Sequence, residues 1–212
     1  MSTERGLAFN SRNDLEKSAN DLNRSEADLR RIFDAIAVLA WSSGPDGTAD
    51  FFNRRWHEYT GLSPDDSRGW GWKSAIHPDD LPGLNEKWGS SREINNAGEC
   101  EVRLRRSDGA FRWFLLQREP LTDGAGAVVG WSGIAIDIED RKRTEWLRAA
   151  EMQTLQMIAD GASLVDILNH VCTSIDLQIA PSITTILLMD ADGKRLWPGA
   201  GPRVPRDWAR AK

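Results

Sequence analysis

The sequence predicts an α+β fold: a five-stranded antiparallel sheet with short helices set into it, a longer helix at each end, and a partial α/β segment after the second helix. Three observations predict it. Cys100, Val102 and Leu104 alternate with Glu101, Arg103 and Arg105, the period of a strand with one buried and one wet face. Gly-rich turn signals separate this run from its neighbours. Leu15, Leu22, Leu29 and Ile36 fall seven apart among charged residues, the seam of a helix that either pairs with another or packs on its own domain.

After that first helix, "VLAWSSGPDGTADFFN" reads as strand, turn and strand, with Pro45 at the second turn position and Gly47 at the fourth. "NRRWHEYTG" is a short helix closed by Gly61. Two near-repeats follow, "SPDD" at Ser63 and "HPDD" at His77. Each places a cap, then Pro, then two carboxylates where a helix carries its positive end. Two copies of one device read as helix starts, although a histidine beside two carboxylates also suits a metal or acid–base site. The second start opens a helix expected over Leu81–Asn95.

"ECEVRLRR", "FRWFLLQREPL" and "VVGWSGIAIDI", joined by turns at "SDGA" and "TDGAGA", predict an antiparallel meander. "EDRKRTEWLRAAEMQTLQMIAD" is a second long helix with a stripe of Leu147, Ala150, Leu155 and Ile158. A third, from Ser163, carries Leu164, Ile167, Leu168, Val171, Cys172, Ile175 and Ile179 on one face and His170 on the opposite, wet face. Pro181 ends the pattern, and "SITTILLMDADGKRLWPGAG" reads as a strand pair around an Asp-Gly turn.

Composition narrows the function. The 212 residues are 40% apolar and 28% charged with a net charge of -5, which suits a globular chain and argues against nucleic acid as a partner. No apolar run reaches the roughly 20 residues that span a bilayer, and the start lacks a signal-peptide core, so neither membrane insertion nor export is expected. Two distant cysteines, Cys100 and Cys172, fit a reducing cytoplasm. No Ser/His/Asp or Cys/His set, phosphate-cradling loop or metal-ligand spacing can be nominated, and no catalysis or metal is expected within the chain. His57 in "HEYTGLSP" echoes a kinase phosphoacceptor only superficially and reads as structural or exposed.

Taken together, Gly44-Pro45-Asp46-Gly47, then Asn53, Trp56, Tyr59, Thr60 and Gly61, then "HPDD", "EVRLRRSDGAFRWF" and "GIAIDIEDRKRTE" resemble the PAS sensory domain over residues 26–140. The last stretch is similar to its terminal PAC motif, with Glu139 where threonine is usual. "ILNHVCTSIDLQIAPSITTILLMDADGKRLWPGAG" resembles the opening of a GAF domain over 162–212. This implies an N-terminal helical extension over 1–25 and a signalling helix over 141–161, in the input region of a bacterial sensor histidine kinase. The alternatives are a diguanylate cyclase or phosphodiesterase input, or a module that only dimerises or docks partners.

A PAS fold implies a hollow between sheet and helices. Asn53, Trp56, Tyr59, Trp72, Trp113 and Trp131 are the candidate lining for a small-molecule ligand, beside Cys100, Val102 and Leu104. The plainer reading is that these aromatics fill the core. Haem and flavin are both disfavoured: the helix before the central hairpin has no histidine, and no Asn-Cys-Arg-Phe run occurs. The resemblance also places signal transmission at Asp137, with Arg141, where the last strand meets the outgoing helix. The apolar stripes of the flanking helices imply a homodimer.

Overall fold

Strand alternation sets the architecture. The computed structural model describes residues 28, 30–89, 97–178 and 182–205, and the chain divides into two units, 1–139 and 140–212. The heptad positions Leu15, Leu22 and Leu29, the helix beyond Gly89, and Ile179 and Pro181 lie outside the described residues.

In the first unit, β1 (Leu39–Ser43), β2 (Ala49–Phe52), β3 (Gly98–Arg105), β4 (Phe111–Thr122) and β5 (Val128–Asp137) form one antiparallel sheet in the order β2-β1-β5-β4-β3. The turn signals act where expected: Gly47 N–H donates to the Gly44 carbonyl at 3.0 Å, and Gly109 N–H to that of Arg106 at 2.9 Å. Pro120, which has no N–H for a ladder, lies in β4 beyond Arg118, the last residue that β3 reaches.

Between β2 and β3 run α1 (Arg54–Thr60), α2 (Pro64–Ser67), 3₁₀ turns at Gly71–Ala75 and Pro78–Asp80, and α3 (Leu81–Gly89). The two near-repeats are helix starts. Ser63 Oγ accepts from Asp66 N–H at 3.1 Å, and His77 Nδ1 accepts more weakly from Asp79 N–H at 3.3 Å. Asp80 accepts from the Arg103 backbone N–H, Nε and a terminal nitrogen at 2.7, 3.0 and 2.7 Å, so this start is tied to β3.

One sheet face meets these helices and makes the core, in which Leu104, Val102, Phe114, Leu116, Trp56 and Leu84 are buried. Asn53 is fully buried and completely used. Its Oδ1 accepts from Ala40 and Trp56 N–H at 3.1 and 3.2 Å, and its Nδ2 donates to the Val38 and Phe33 carbonyls at 2.9 and 3.2 Å. It caps α1 and ties that helix to β1 in one step.

The second unit comprises α4 (Glu139–Ala159, whose first residue closes the first unit), α5 (Leu164–Gln178) and the hairpin β6 (Ile186–Met189) and β7 (Leu196–Ala200). Its burial departs from the predicted stripes. No residue of α4 is buried, and Leu147, Leu155 and Ile158 are exposed. On α5, Leu164 and Ile175 are exposed, and the buried pair is Cys172 with Asp176, one helical turn apart. His170 is half-buried rather than wet, and its Nε2 is enclosed without a partner among the described residues.

Candidate functional site

The register of four strands carries a row of residues across the sheet face that meets the helices. Trp41 on β1 pairs with Gly133 on β5, which pairs with Arg118 on β4, which pairs with Gly98 on β3. Gly133 is a glycine for a packing reason. A Cβ there would collide with the Trp41 indole and lie 2.8 Å from the Gln117 carbonyl oxygen. The indole therefore sits over Gly133 of β5 and borders the space between the sheet and the helices.

That space is a cavity of about 470 Å³ between the sheet and the α1–α3 helices, within the range of small-molecule sites. Six tryptophans line it: Trp41, Trp56, Trp70, Trp72, Trp88 and Trp131. Trp41 and Trp72 approach Trp88 with ring centroids 6.0 and 6.4 Å apart, and Trp56 stacks on Phe52 at 4.5 Å. Trp56 is fixed further by its Nε1–H, which donates to Ser67 Oγ at 3.2 Å.

Three polar side chains matter here. Lys73 Nζ donates to Asn85 Oδ1 at 2.7 Å and sits 4.3 Å from the Trp70 ring centroid. Asp46 engages Thr48 through its hydroxyl and its N–H, and those bonds hold the carboxyl below the usual carboxylate range. Arg118 lies with its guanidinium carbon 4.4 Å from the Trp131 centroid and 4.9 Å from that of Trp88.

The residues predicted from sequence divide evenly. Trp56, Trp72 and Trp131 line the cavity. Asn53 is structural, its amide consumed by backbone groups. Trp113 is one residue out of phase with the buried Phe114, which puts it on the opposite sheet face over Arg103 at 5.3 Å. Tyr59 packs edge-on against Phe114 at 5.0 Å and lines a second, more open hollow with Asp137 and Arg106. Burial pushes its phenol up to about 12, aided by the Asp137 charge. Of the other two histidines, His57 Nδ1 lies 2.9 Å from the Leu62 carbonyl oxygen and His77 packs on Phe111 at 4.7 Å. Among the described residues no group of three or more His, Cys, Asp or Glu is placed to hold a metal.

Sequence reasoning missed Trp41, Trp70, Trp88, Lys73 and Arg118. Signals for three of them were present. Leu81, Leu84 and Trp88 follow helical spacing, Leu39, Trp41 and Ser43 follow strand spacing, and extending Phe114 and Leu116 by two places points Arg118 inward.

At the far end of β5, Asp137 Oδ2 accepts from Arg112 Nε at 2.9 Å, and its Oδ1 accepts from Glu139 N–H at 2.9 Å, capping α4. Glu139 in turn accepts from Trp113 N–H at 2.8 Å. Arg112 on β4 is thus a partner of Asp137, and Arg141 lies 3.9 Å from Glu145 along its own helix.

Residues 49–135 match the family model described as the PAS fold. The chain is 30% identical to an uncharacterized protein of Sinorhizobium fredii over 77% of this chain and 21% of that one. It is 28% identical to the methyl sulfide methyltransferase-associated sensor of Methanosarcina acetivorans over 92% of this chain and 20% of the sensor. It is 34% identical to a peroxide stress-activated histidine kinase of Schizosaccharomyces pombe over 55% of this chain and 7% of the kinase. The chain thus spans about a fifth or less of these relatives. Among the described residues no helix is long and apolar enough to cross a membrane.

Proposed function

We propose that this chain is a signal-sensing input region, in which a small ligand in the tryptophan-walled cavity biases the helix that leaves the PAS fold. The observation that carries the reading is the cavity itself. Aromatic side chains that could have closed onto one another leave about 470 Å³ between sheet and helices. A ligand there exchanges binding free energy for a change in the populations of sheet and helix arrangements.

The output is proposed as a histidine kinase, on the strength of a relative that bears that name. The PAS domain ends in a PAC motif near residue 140, residues 141–161 act as the signalling helix, and 162–212 open a GAF-like domain. Asp137 is the proposed transmission point, because it joins Arg112 on β4 to the first turn of α4. Such a charge-assisted clamp fixes the angle between strand and helix until the sheet moves. The chain is proposed to form a homodimer through α4, whose Leu147, Leu155 and Ile158 share one exposed side.

Native mass spectrometry of the purified chain tests the sensing role. The expected result is a bound small molecule that dissociates on denaturation and is missing from Ser43→Phe, which fills the cavity from β1. A bare wild-type chain, with no small molecule in a screen altering its thermal unfolding, overturns the ligand reading and leaves a dimerisation module. Sedimentation tests the second part: a dimer is expected that Leu155→Glu converts to a monomer, and a wild-type monomer at tens of micromolar overturns it.

A further inference from the structure

The cavity contains a charge that the aromatic walls do not explain. Arg118 projects from the buried face of β4, in phase with Phe114 and Leu116, where an apolar residue would pack at less cost. Its guanidinium lies near the rings of Trp88 and Trp131. Stacking accounts for where the flat group rests, but it leaves the in-plane N–H donors to be satisfied. Arg118 Nε is enclosed with no hydrogen-bond partner among the described residues, and so is Trp88 Nε1. The two donors border one point: a Cβ on Gly98 would stand 3.6 Å from the first and 3.5 Å from the second.

No carboxylate among the described residues pairs with Arg118, and burial alone lowers its pKa. Lys73 adds a second cation to the wall. The only acid in the lining among the described residues, Asp46, has an oxygen committed to Thr48 in the β1–β2 turn. An aromatic cage can hold an organic cation. Here the wall already carries two cations, Arg118 and Lys73, and two enclosed donors that have no acceptor among the described residues.

Resting on the reading of this cavity as a ligand site, we propose that it is specific for an anionic aromatic ligand: a flat apolar ring system bearing a carboxylate that Arg118 and Trp88 Nε1 hold by hydrogen bonds, with the ring among the tryptophans. A carboxylate supplies acceptors on two oxygens, which suits an Arg fork and a neighbouring indole N–H. The rings meet indole faces in offset or edge geometry.

Isothermal titration calorimetry of the full chain with 2-naphthoate, the neutral 2-naphthamide and cationic 2-naphthylmethylamine tests the proposal. The expected result is binding of the carboxylate at least tenfold tighter than the amide, with the amine weakest. Arg118→Gln should remove at least tenfold of the naphthoate affinity and bring acid and amide together. Arg118→Lys keeps a cation without the planar fork and should fall between, and Trp88→Phe, which keeps an aromatic wall and loses the N–H, should cost a smaller factor. Circular dichroism establishes that each variant is folded, and the wild-type comparison of acid with amide decides the matter even if none is. Equal binding of acid and amide, or preference for the amine, overturns the anion assignment while leaving a ligand site. Absence of binding by all three overturns the assignment, and the mass-spectrometric result then decides separately whether the cavity is a ligand site at all.

Discussion

Among the described residues, the first unit closes a large apolar core inside a five-stranded sheet and its helices, whereas the second leaves most of its apolar side chains facing outward. Leu104 and Val102 are 0% exposed in the first unit. In the second, Leu187, Leu188 and Met189 of β6 and Leu196 and Trp197 of β7 are exposed, and the buried apolar side chains include Cys172 and Ala200. The strand pattern is similar in both. The difference lies in strand number and cover, because a two-stranded hairpin has one ladder and too little surface to bury both faces. Apolar composition predicts that a segment seeks cover, and topology decides whether it obtains it.

The largest test of this contrast is a matched pair of truncations. Leu104→Ala, at a fully buried position, should cost about 3–4 kcal/mol in urea unfolding followed by tryptophan fluorescence. Leu187→Ala, at a position 50% exposed, should change stability by no more than about 0.5 kcal/mol. Equal costs would break the comparison, since they would mean that β6 is covered as well as β3. The Leu187 change should instead show itself as greater solubility, because it shortens an exposed apolar strand.

Asn53→Ala comes next, at about 2–3 kcal/mol, because it removes a helix cap and strands buried partners on β1. Hydrogen exchange localises the effect: protection of the Ala40 and Trp56 amides should fall, while amides of α5 keep theirs. A uniform loss across both units would show that they unfold together and would remove the basis for contrasting them.

How far the sequence reaches follows the same division. Where alternation, turn chemistry and capping agree, as across β3, β4 and β5 or at Ser63, the elements are legible residue by residue. The cavity was half legible. Trp56, Trp72 and Trp131 could be named because large aromatics near the sheet have few other places to go. Trp113 went the other way because a single-residue change of phase in β4 reverses its face, and aromatic content says nothing about phase. Arg118 was not singled out from the sequence, although its position in the strand, two places beyond Leu116, points it inward. Arg141 was named beside Asp137 because the two are close along the chain. Arg112, which β4 brings to Asp137 from 25 residues away, was not named, because such a long-range pairing has no local signature.

A smaller effect is expected at Asp80. Burial raises its carboxyl pKa, but the hydrogen bonds and charge of Arg103 outweigh that, and the net shift is downward. A carboxyl whose folded value is depressed stabilises the protein above its unfolded value, near 4, and loses that contribution as pH falls through the lower folded value. Asp80→Asn should therefore cost about 1–2 kcal/mol at pH 7, and the two unfolding curves should converge below about pH 4. A difference that persists unchanged at pH 2 would mean that the carboxylate charge is not what joins the Pro78–Asp80 turn to β3.

The smallest change in stability, with the sharpest spectral readout, is expected at Tyr59. It is the one tyrosine of the chain, so the change with pH in absorbance near 295 nm, over the constant background of the tryptophans, reports this side chain. Burial and the Asp137 charge raise its pKa to about 12, and its hydroxyl is enclosed without a partner among the described residues. A raised phenol pKa is a stabilising term that is complete below the unfolded value near 10 and is lost as pH climbs through the folded one. Alkaline titration should thus show no phenolate at pH 10.5, and unfolding should accompany its appearance. Tyr59→Phe removes a hydroxyl that gains no hydrogen bond in the fold, so stability at pH 7 should move by less than about 0.5 kcal/mol. Asp137→Asn should lower the phenol pKa while leaving the ring packed on Phe114. An ordinary titration near 10 in the folded chain would mean that water reaches the interior of the first unit at this end, and the contrast between a closed unit and an open one would then hold only for the half of the sheet that carries the tryptophans.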